Sequence, residues 1–347
     1  MAMRVSGLPA AGKISLVIGS SGHHTRGGVR ARLGSMTLIR RMGLGLAALG
    51  RPAYINLGRD GELPAERTVE AMRAAAWRVL DAAYAAGIRW VDAARSYGLA
   101  EEFLASWLDE REHPEITVSS KWGYSYVGGW RLDADVHEVK EHSLTRFREQ
   151  LAETKQLLGE RVALYQVHSL TADSPLFGDV ALLHALAELN AGGVGVGFST
   201  SGPSQAETVR RALDLEIDGR RLFTAVQSTW NLLEPSVGNA LREAHASGAH
   251  VLVKEALANG SLAVDPPLPV RSAATRHGVG PDAIALAAVL AQPWADTVLS
   301  GAVSITQLNT NLAASAVTLG EHELAEFAAL PMPPTVYWNR RAALPWT

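Results

Sequence analysis

The chain of 347 residues contains no cysteine. That excludes disulfide frameworks, thiolate nucleophiles and cysteine metal sites, and it suits a reducing compartment, taken here as the cytoplasm. No uninterrupted apolar run approaches the roughly 18–20 residues of a membrane span, so no membrane association is expected. Acids are missing from one region: residues 1–41 hold seven Lys and Arg and no Asp or Glu, so a total of −3 leaves a formal −10 for residues 42–347. An acidic body argues against nucleic-acid binding, which depends on neutralising phosphates.

The basic head, SSGHHTRGGVRARLGSM, lacks hydrophobic periodicity. Residues 1–41 are therefore expected to form a disordered extension, with Met36 as a natural start and a transit peptide as the alternative. Residues 42–347 are expected to form one domain, because no Pro/Gly/Ser-rich linker divides them. An apolar fraction of 47% and a charged fraction of 19% are those of a globular protein.

From residue 42 the chain alternates buried-strand-like runs with amphipathic segments. The runs IRWV, ITVSS, VALYQV, GVGVGF, FTAVQS, HVLVK and TVLS end near Asp92, Lys121, His168, Ser199, Gln227, Lys254 and Ser300, at gaps of 29, 47, 31, 28, 27 and 46 residues. Helices are predicted over 65–86, 137–158, 179–191, 204–216, 236–247, 281–291 and 304–316. With MGLGLA as first strand the count is eight. Units of about 30 residues predict a single (β/α)8 TIM barrel, with extended loops after strands 3 and 7 and a C-terminal tail over the barrel mouth. A doubly wound sheet gives the same alternation and is the competing architecture.

Two nucleotide motifs nearly match and fail. Gly7–Ile14 resembles a P-loop but has Ile14 where a magnesium-binding hydroxyl belongs, and no strand precedes it. Gly43-Leu-Gly45-Leu-Ala-Ala48 fits G-x-G-x-x-A, yet Arg51-Pro52 cuts off the helix a pyrophosphate would need. The Tyr-x-x-x-Lys pair of short-chain dehydrogenases does not occur.

In a barrel, side chains at the C-terminal strand ends converge on one face. Asp92, Lys121 and His168 end three successive strands, and Tyr97 follows Asp92 on its loop, within WVDAARSYG. Each alone has an ordinary reading: a capped strand-end acid, a loop aromatic, a solvated lysine, a near-core histidine. Their equivalent positions on neighbouring strands do not. Together with ITVSSKWG, LYQVHS, GGVGVGFSTS, AVQSTWNLLE and VLSGAVSITQLNTNLAA, the chain resembles the aldo-keto reductase family over about residues 42–330.

The resemblance implies a catalytic tetrad of Asp92, Tyr97, Lys121 and His168, and an extended NADP(H), with NAD(H) as the other candidate. Tyr97 would protonate a carbonyl oxygen, Lys121 would lower its pKa, Asp92 would hold the lysine, and His168 would orient the carbonyl. Cofactor contacts are implied at Ser199, Gln227, Lys254, Leu257, Gly301, Ser304, Gln307 and Asn311. The match is imperfect: Ser199-Thr200 replaces a Ser-Asn pair, Lys254 stands where an aromatic often stacks, and Glu255 stands where a serine approaches the pyrophosphate. A structural ion pair is an equal reading of Lys254-Glu255. The segment GAVSITQLNTN has neither Lys nor Arg for a 2′-phosphate. Trp122, Trp130 and Trp230 are candidate walls for a small carbonyl or sugar substrate, and no metal is expected. The implied activity is nicotinamide-dependent interconversion of a carbonyl and an alcohol. Aldose oxidation to a lactone, a non-catalytic nucleotide-binding protein and a barrel lyase using Lys121 as a Schiff base are the alternatives.

Overall fold

A computed structural model describes residues 37–347. The basic segment of residues 1–36 lies outside the described residues. Arg41, at the edge of that segment by composition, is already part of the fold: its guanidinium donates to the carbonyls of Leu290 (2.9 Å), Gln292 (2.9 Å) and Ala295.

Eight parallel strands close into a barrel: β1 (Met42–Gly45), β2 (Trp90–Asp92), β3 (Thr117–Trp122), β4 (Val162–Leu170), β5 (Gly195–Thr200), β6 (Ala225–Thr229), β7 (His250–Lys254) and β8 (Thr297–Ser300). Each neighbours the next, and β8 pairs with β1 through Met42↔Val298. The doubly wound alternative is thereby excluded. The lower barrel is plugged by Leu164, Ala225, Leu252 and Trp90, the last stacked on His250 with centroids 4.8 Å apart. Above this plug the inward side chains become polar.

The helices arise where amphipathic segments meet capping residues. Helix α1 (Val69–Ala86) starts at Thr68, whose side chain accepts from the Ala71 amide, and ends at Gly87 with φ 103°. Helices α3 (Leu144–Leu158) and α4 (Val180–Ala191) begin at Ser143 and Asp179, which cap in the same way. The helix expected over 137–158 starts late because Glu138–Lys140 pairs with Tyr124–Tyr126 as an antiparallel hairpin. That hairpin occupies the long loop after β3. The loop after β7 holds two helices, Ser261–Val264 and Leu268–His277. Helix α2 (Ala100–Arg111), which lies between α1 and α3, was not anticipated, although its buried Phe103, Leu104, Trp107 and Leu108 carry the helical period.

The chain finishes in a helix, Pro334–Ala342, and a tail that turns back to the mouth. Thr347 exchanges backbone hydrogen bonds with Tyr54 (3.0 and 3.2 Å), and Trp346 stacks on His137 at 4.2 Å. The expected tail over the mouth is thus present.

Gly43 explains the false dinucleotide motif. A Cβ there would lie 2.8 Å from the Leu299 side chain and 3.3 Å from Trp90. The glycine makes room for packing within β1 rather than for phosphate.

Candidate active site

The C-terminal strand ends open into a cavity of about 400 Å³. Asp92, the last residue of β2, and Lys121, on β3, are both buried, and the lysine ammonium donates to Asp92 Oδ2 and to the Ala93 carbonyl (3.0 Å). Asp92 Oδ1 accepts from Ser119 (2.7 Å), Gln227 (3.1 Å) and Gln166 (3.2 Å). A carboxylate taken from water needs such replacements, and Asp92 has them on both oxygens. Burial lowers the Lys121 pKa, while the Asp92 charge opposes that fall.

His168 sits where β4 slips its register against β5, between Val167 and Leu170. The next residue, Ser169, adopts φ 51°, and its amide donates to Ser199 Oγ at 2.8 Å. This irregularity fixes the imidazole at the cavity wall, 5.4 Å from the Tyr97 ring and edge-on to it. Burial, then Lys121, Lys254 and Arg51, hold His168 well below pH 6.5, so its ring is neutral. Its Nδ1 faces Ser96 Oγ at 3.3 Å.

Tyr97 lines the cavity, with Lys121 Nζ 4.8 Å from its ring centroid. Burial pushes the phenol well above its ordinary pKa of 10, Asp92 adds to the rise, and Arg51 pulls part of it back. The expected depression by Lys121 is outweighed. With Lys121 paired to Asp92 and the Tyr97 ring buried, the phenol keeps its proton.

The four residues singled out from the strand ends therefore meet at one place. Gln227, Lys254, Leu257, Gly301, Gln307 and Asn311 also line the cavity. Ser199 and Ser304 do not: Ser199 secures the β4 irregularity, and Ser304 caps the helix Ile305–Leu312 by accepting from the Gln307 amide. The three tryptophans lie away from the cavity lining. Trp122 is fully buried against Phe147, Trp130 packs on Phe103 and donates to the Arg67 carbonyl, and Trp230 packs on Trp294. They pack loops and helices onto the barrel, and the aromatic walls are Tyr54, Tyr124 and Trp346 instead.

Arg51, Glu138, Thr229 and Arg341 complete the site, and strand spacing does not index them. Arg51 had served only to break a helix. It is 1% exposed, donates to the carbonyls of Ala47 (3.0 Å) and Ser96 (3.1 Å), and pairs with Glu138 at 2.6 Å. Arg341, in the last helix, grips Glu255 at 2.6, 2.9 and 3.1 Å, while Thr229 Oγ1 donates to the same carboxylate at 2.8 Å. Burial alone would raise the Glu255 pKa, but Arg341 and Lys254 overcome it and draw it to about 2. Lys254 reaches Thr229 Oγ1 at 2.8 Å and Glu255 only at 3.9 Å, and burial brings its ammonium down to about 8. The ion-pair reading of Glu255 holds, with Arg341 as the principal partner.

The aldo/keto reductase family model matches residues 41–331. The chain belongs to that family. Protein tas from Escherichia coli (strain K12) is 28% identical over 313 residues, 72% of this chain and 87% of that protein. D-threo-aldose 1-dehydrogenase from a Pseudomonas species is also 28% identical, over 74% of this chain and 84% of its own. Among solved structures, an aldo-keto reductase from Bacillus halodurans in its holo form superposes with a TM-score of 0.61 at 21% identity, covering 84% of this chain and 92% of that one. The glycerol dehydrogenase from Gluconobacter oxydans gives 0.60 at 20%, covering 84% and 90%. At these identities the two structures establish the barrel. As a family member the protein is a nicotinamide-dependent oxidoreductase of small carbonyl compounds. No described helix is long and apolar enough to cross a membrane.

The cavity suits a nicotinamide dinucleotide. Asn259 is 4% exposed and lines the wall with its Oδ1 buried and unpartnered, an acceptor awaiting a ligand donor. At Gly301 a Cβ would meet no atom within 4 Å, so the wall is open there. The Glu255 charge, which would repel phosphates, is cancelled by Arg341.

Proposed function

We propose that the protein interconverts a carbonyl and an alcohol with Tyr97 as the general acid and base, using NADP(H). The carrying observation is Tyr97 at the cavity wall, edge-on to a neutral His168 and beside the Lys121–Asp92 pair.

A bound nicotinamide supplies or accepts the hydride. In reduction, Tyr97 delivers its proton to the carbonyl oxygen as charge builds there. Its raised pKa keeps that proton in place at neutral pH. The neighbouring Lys121 and Arg51 charges stabilise the phenolate left behind. If Ser96 Oγ–H donates into His168 Nδ1, the single N–H of the neutral ring lies on Nε2, free to donate to the same oxygen. Oxidation of an alcohol runs the steps backwards, and Tyr97 must first lose its proton.

Gln227, Lys254, Asn259, Gly301, Gln307 and Asn311 are proposed to hold the dinucleotide. The preference for NADP(H) rests on the family resemblance, since the segment 301–311 offers no cation. Titration with NADPH and NADH by protein fluorescence, followed by a carbonyl panel read at 340 nm, tests the reading. Failure to bind either nucleotide overturns it. Tight binding with no turnover of any carbonyl supports a non-catalytic nucleotide-binding protein instead.

A further inference from the structure

We propose that Arg51 and Glu138 form a donor–acceptor pair that selects a neutral polyhydroxy carbonyl compound, a sugar-class substrate, by holding its hydroxyls beside the reacting carbon. This rests on the hydride-transfer reading above. The two residues come from different elements, Arg51 from the turn after β1 and Glu138 from the hairpin after β3, and both line the cavity that contains Tyr97.

The Arg51 guanidinium is fixed as a plate. Its Cζ lies 4.4 Å from the Tyr54 ring centroid, 5.1 Å from Tyr97 and 5.0 Å from Trp346. Nε is spent on Ala47, and Nη1 on Ser96 and Glu138. Nη2 therefore keeps both N–H groups unpartnered among the described residues. Glu138 gives Oε1 to Arg51, and its Oε2 likewise has no partner. Glu138 lines the same cavity as the phenols Tyr97 and Tyr124.

A ligand at Tyr97 thus meets one free donor and one free acceptor together. An alkyl or aryl carbonyl would cover both and replace neither water, costing about 1–3 kcal/mol for each stranded group. A carboxylate would find Arg51 already matched at 2.6 Å and would be repelled by Oε2. A hydroxyl both accepts and donates, so one alcohol or a vicinal pair satisfies Nη2 and Oε2 at once.

The test compares glyceraldehyde, propanal and succinic semialdehyde with NADPH at 340 nm. The first two share a three-carbon chain and differ by their hydroxyls. Wild type is expected to favour glyceraldehyde over propanal in kcat/KM by at least tenfold. Glu138→Gln and Arg51→Lys should each shrink that ratio at least tenfold, chiefly through KM for glyceraldehyde, with the NADPH Kd measured alongside to confirm a folded protein. A ratio unchanged in both variants, with the two aldehydes losing rate equally, makes the pair purely structural and overturns the proposal. A wild-type preference for propanal or succinic semialdehyde overturns it as well. Wild type that binds NADPH and reduces none of the three but does reduce another carbonyl of the panel overturns the selection alone, whereas turnover of no carbonyl at all refutes the hydride-transfer reading and the selection falls with it.

Discussion

The Glu255 carboxylate is held by Arg341, 86 residues later, through three contacts of 2.6–3.1 Å. Both side chains are largely buried, at 8% and 23% exposed. A buried carboxylate stripped of its partner costs about 3–5 kcal/mol. Arg341→Met should therefore lower stability by that order in urea titration, and the double variant with Glu255→Gln should recover most of it. The pH dependence has a definite sign. Glu255 is drawn down to about 2 in the folded state, against an ordinary carboxylate value near 4.5, so its contribution is full above about pH 4.5. It is lost as pH falls from there towards 2. Wild type should show that acid-limb loss, and Glu255→Gln should lack it.

That pairing was beyond the reach of sequence. The strand ends at Asp92, Lys121 and His168 could be read because each closes an apolar run, and the barrel then brings equivalent positions together. Lys254-Glu255 could be flagged as anomalous on the same grounds. Their partner Arg341 lies in a tail with no strand to index it, and nothing in the spacing ties residue 255 to residue 341. The tryptophans failed for a different reason. Trp122 and Trp230 occupy loops and strand ends near the mouth, but an indole packs a barrel flank as readily as it lines a pocket, and only the rotamer decides. Arg51 was visible as a residue and not as a function, because its meaning depends on Glu138 across the mouth.

Tyr97→Phe removes the proposed proton donor and leaves the ring packed against His168 and Arg51. Turnover should drop about 10²–10⁴-fold, the usual worth of general acid catalysis. The NADPH Kd should stay within about twofold, read by fluorescence titration. Wild-type turnover in this variant would remove Tyr97 from the chemistry.

Lys254 should impose a pH dependence on dinucleotide binding. Burial lowers its ammonium from 10.5 to about 8, so it is charged at neutral pH and becomes neutral above 8. If it faces the anionic ligand, affinity for NADPH should weaken as pH rises through about 8. Lys254→Met should bind more weakly at pH 7 and show no inflection near 8. The stability effect has the opposite slope: the unfolded chain keeps this proton to higher pH, so folding gains as pH rises from 8 towards 10.5. Equilibrium titrations of both quantities over pH 6–10 separate the two.

Gly50 sets the position of Tyr97 from outside the cavity. Its carbonyl accepts from the Leu99 amide at 2.7 Å, and a Cβ added to it would press on the Tyr97 carbonyl and lie 2.8 Å from the Ala100 backbone. Backbone on that side cannot yield as a flexible side chain can, so Gly50→Ala must displace the loop Ser96–Leu99. Overpacking of this kind costs about 1–3 kcal/mol. A displaced Tyr97 should lower kcat while the NADPH Kd changes little, because the proposed dinucleotide contacts lie on β6, on β7 and the loop after it, and on the loop and helix after β8. Gly61→Ala is the matched control. Nothing lies within 4 Å of a Cβ there, and a surface change of that sort stays within about 0.5 kcal/mol. If Gly50→Ala kept wild-type kcat at an unchanged melting temperature, the loop would not depend on this glycine for its placement of Tyr97.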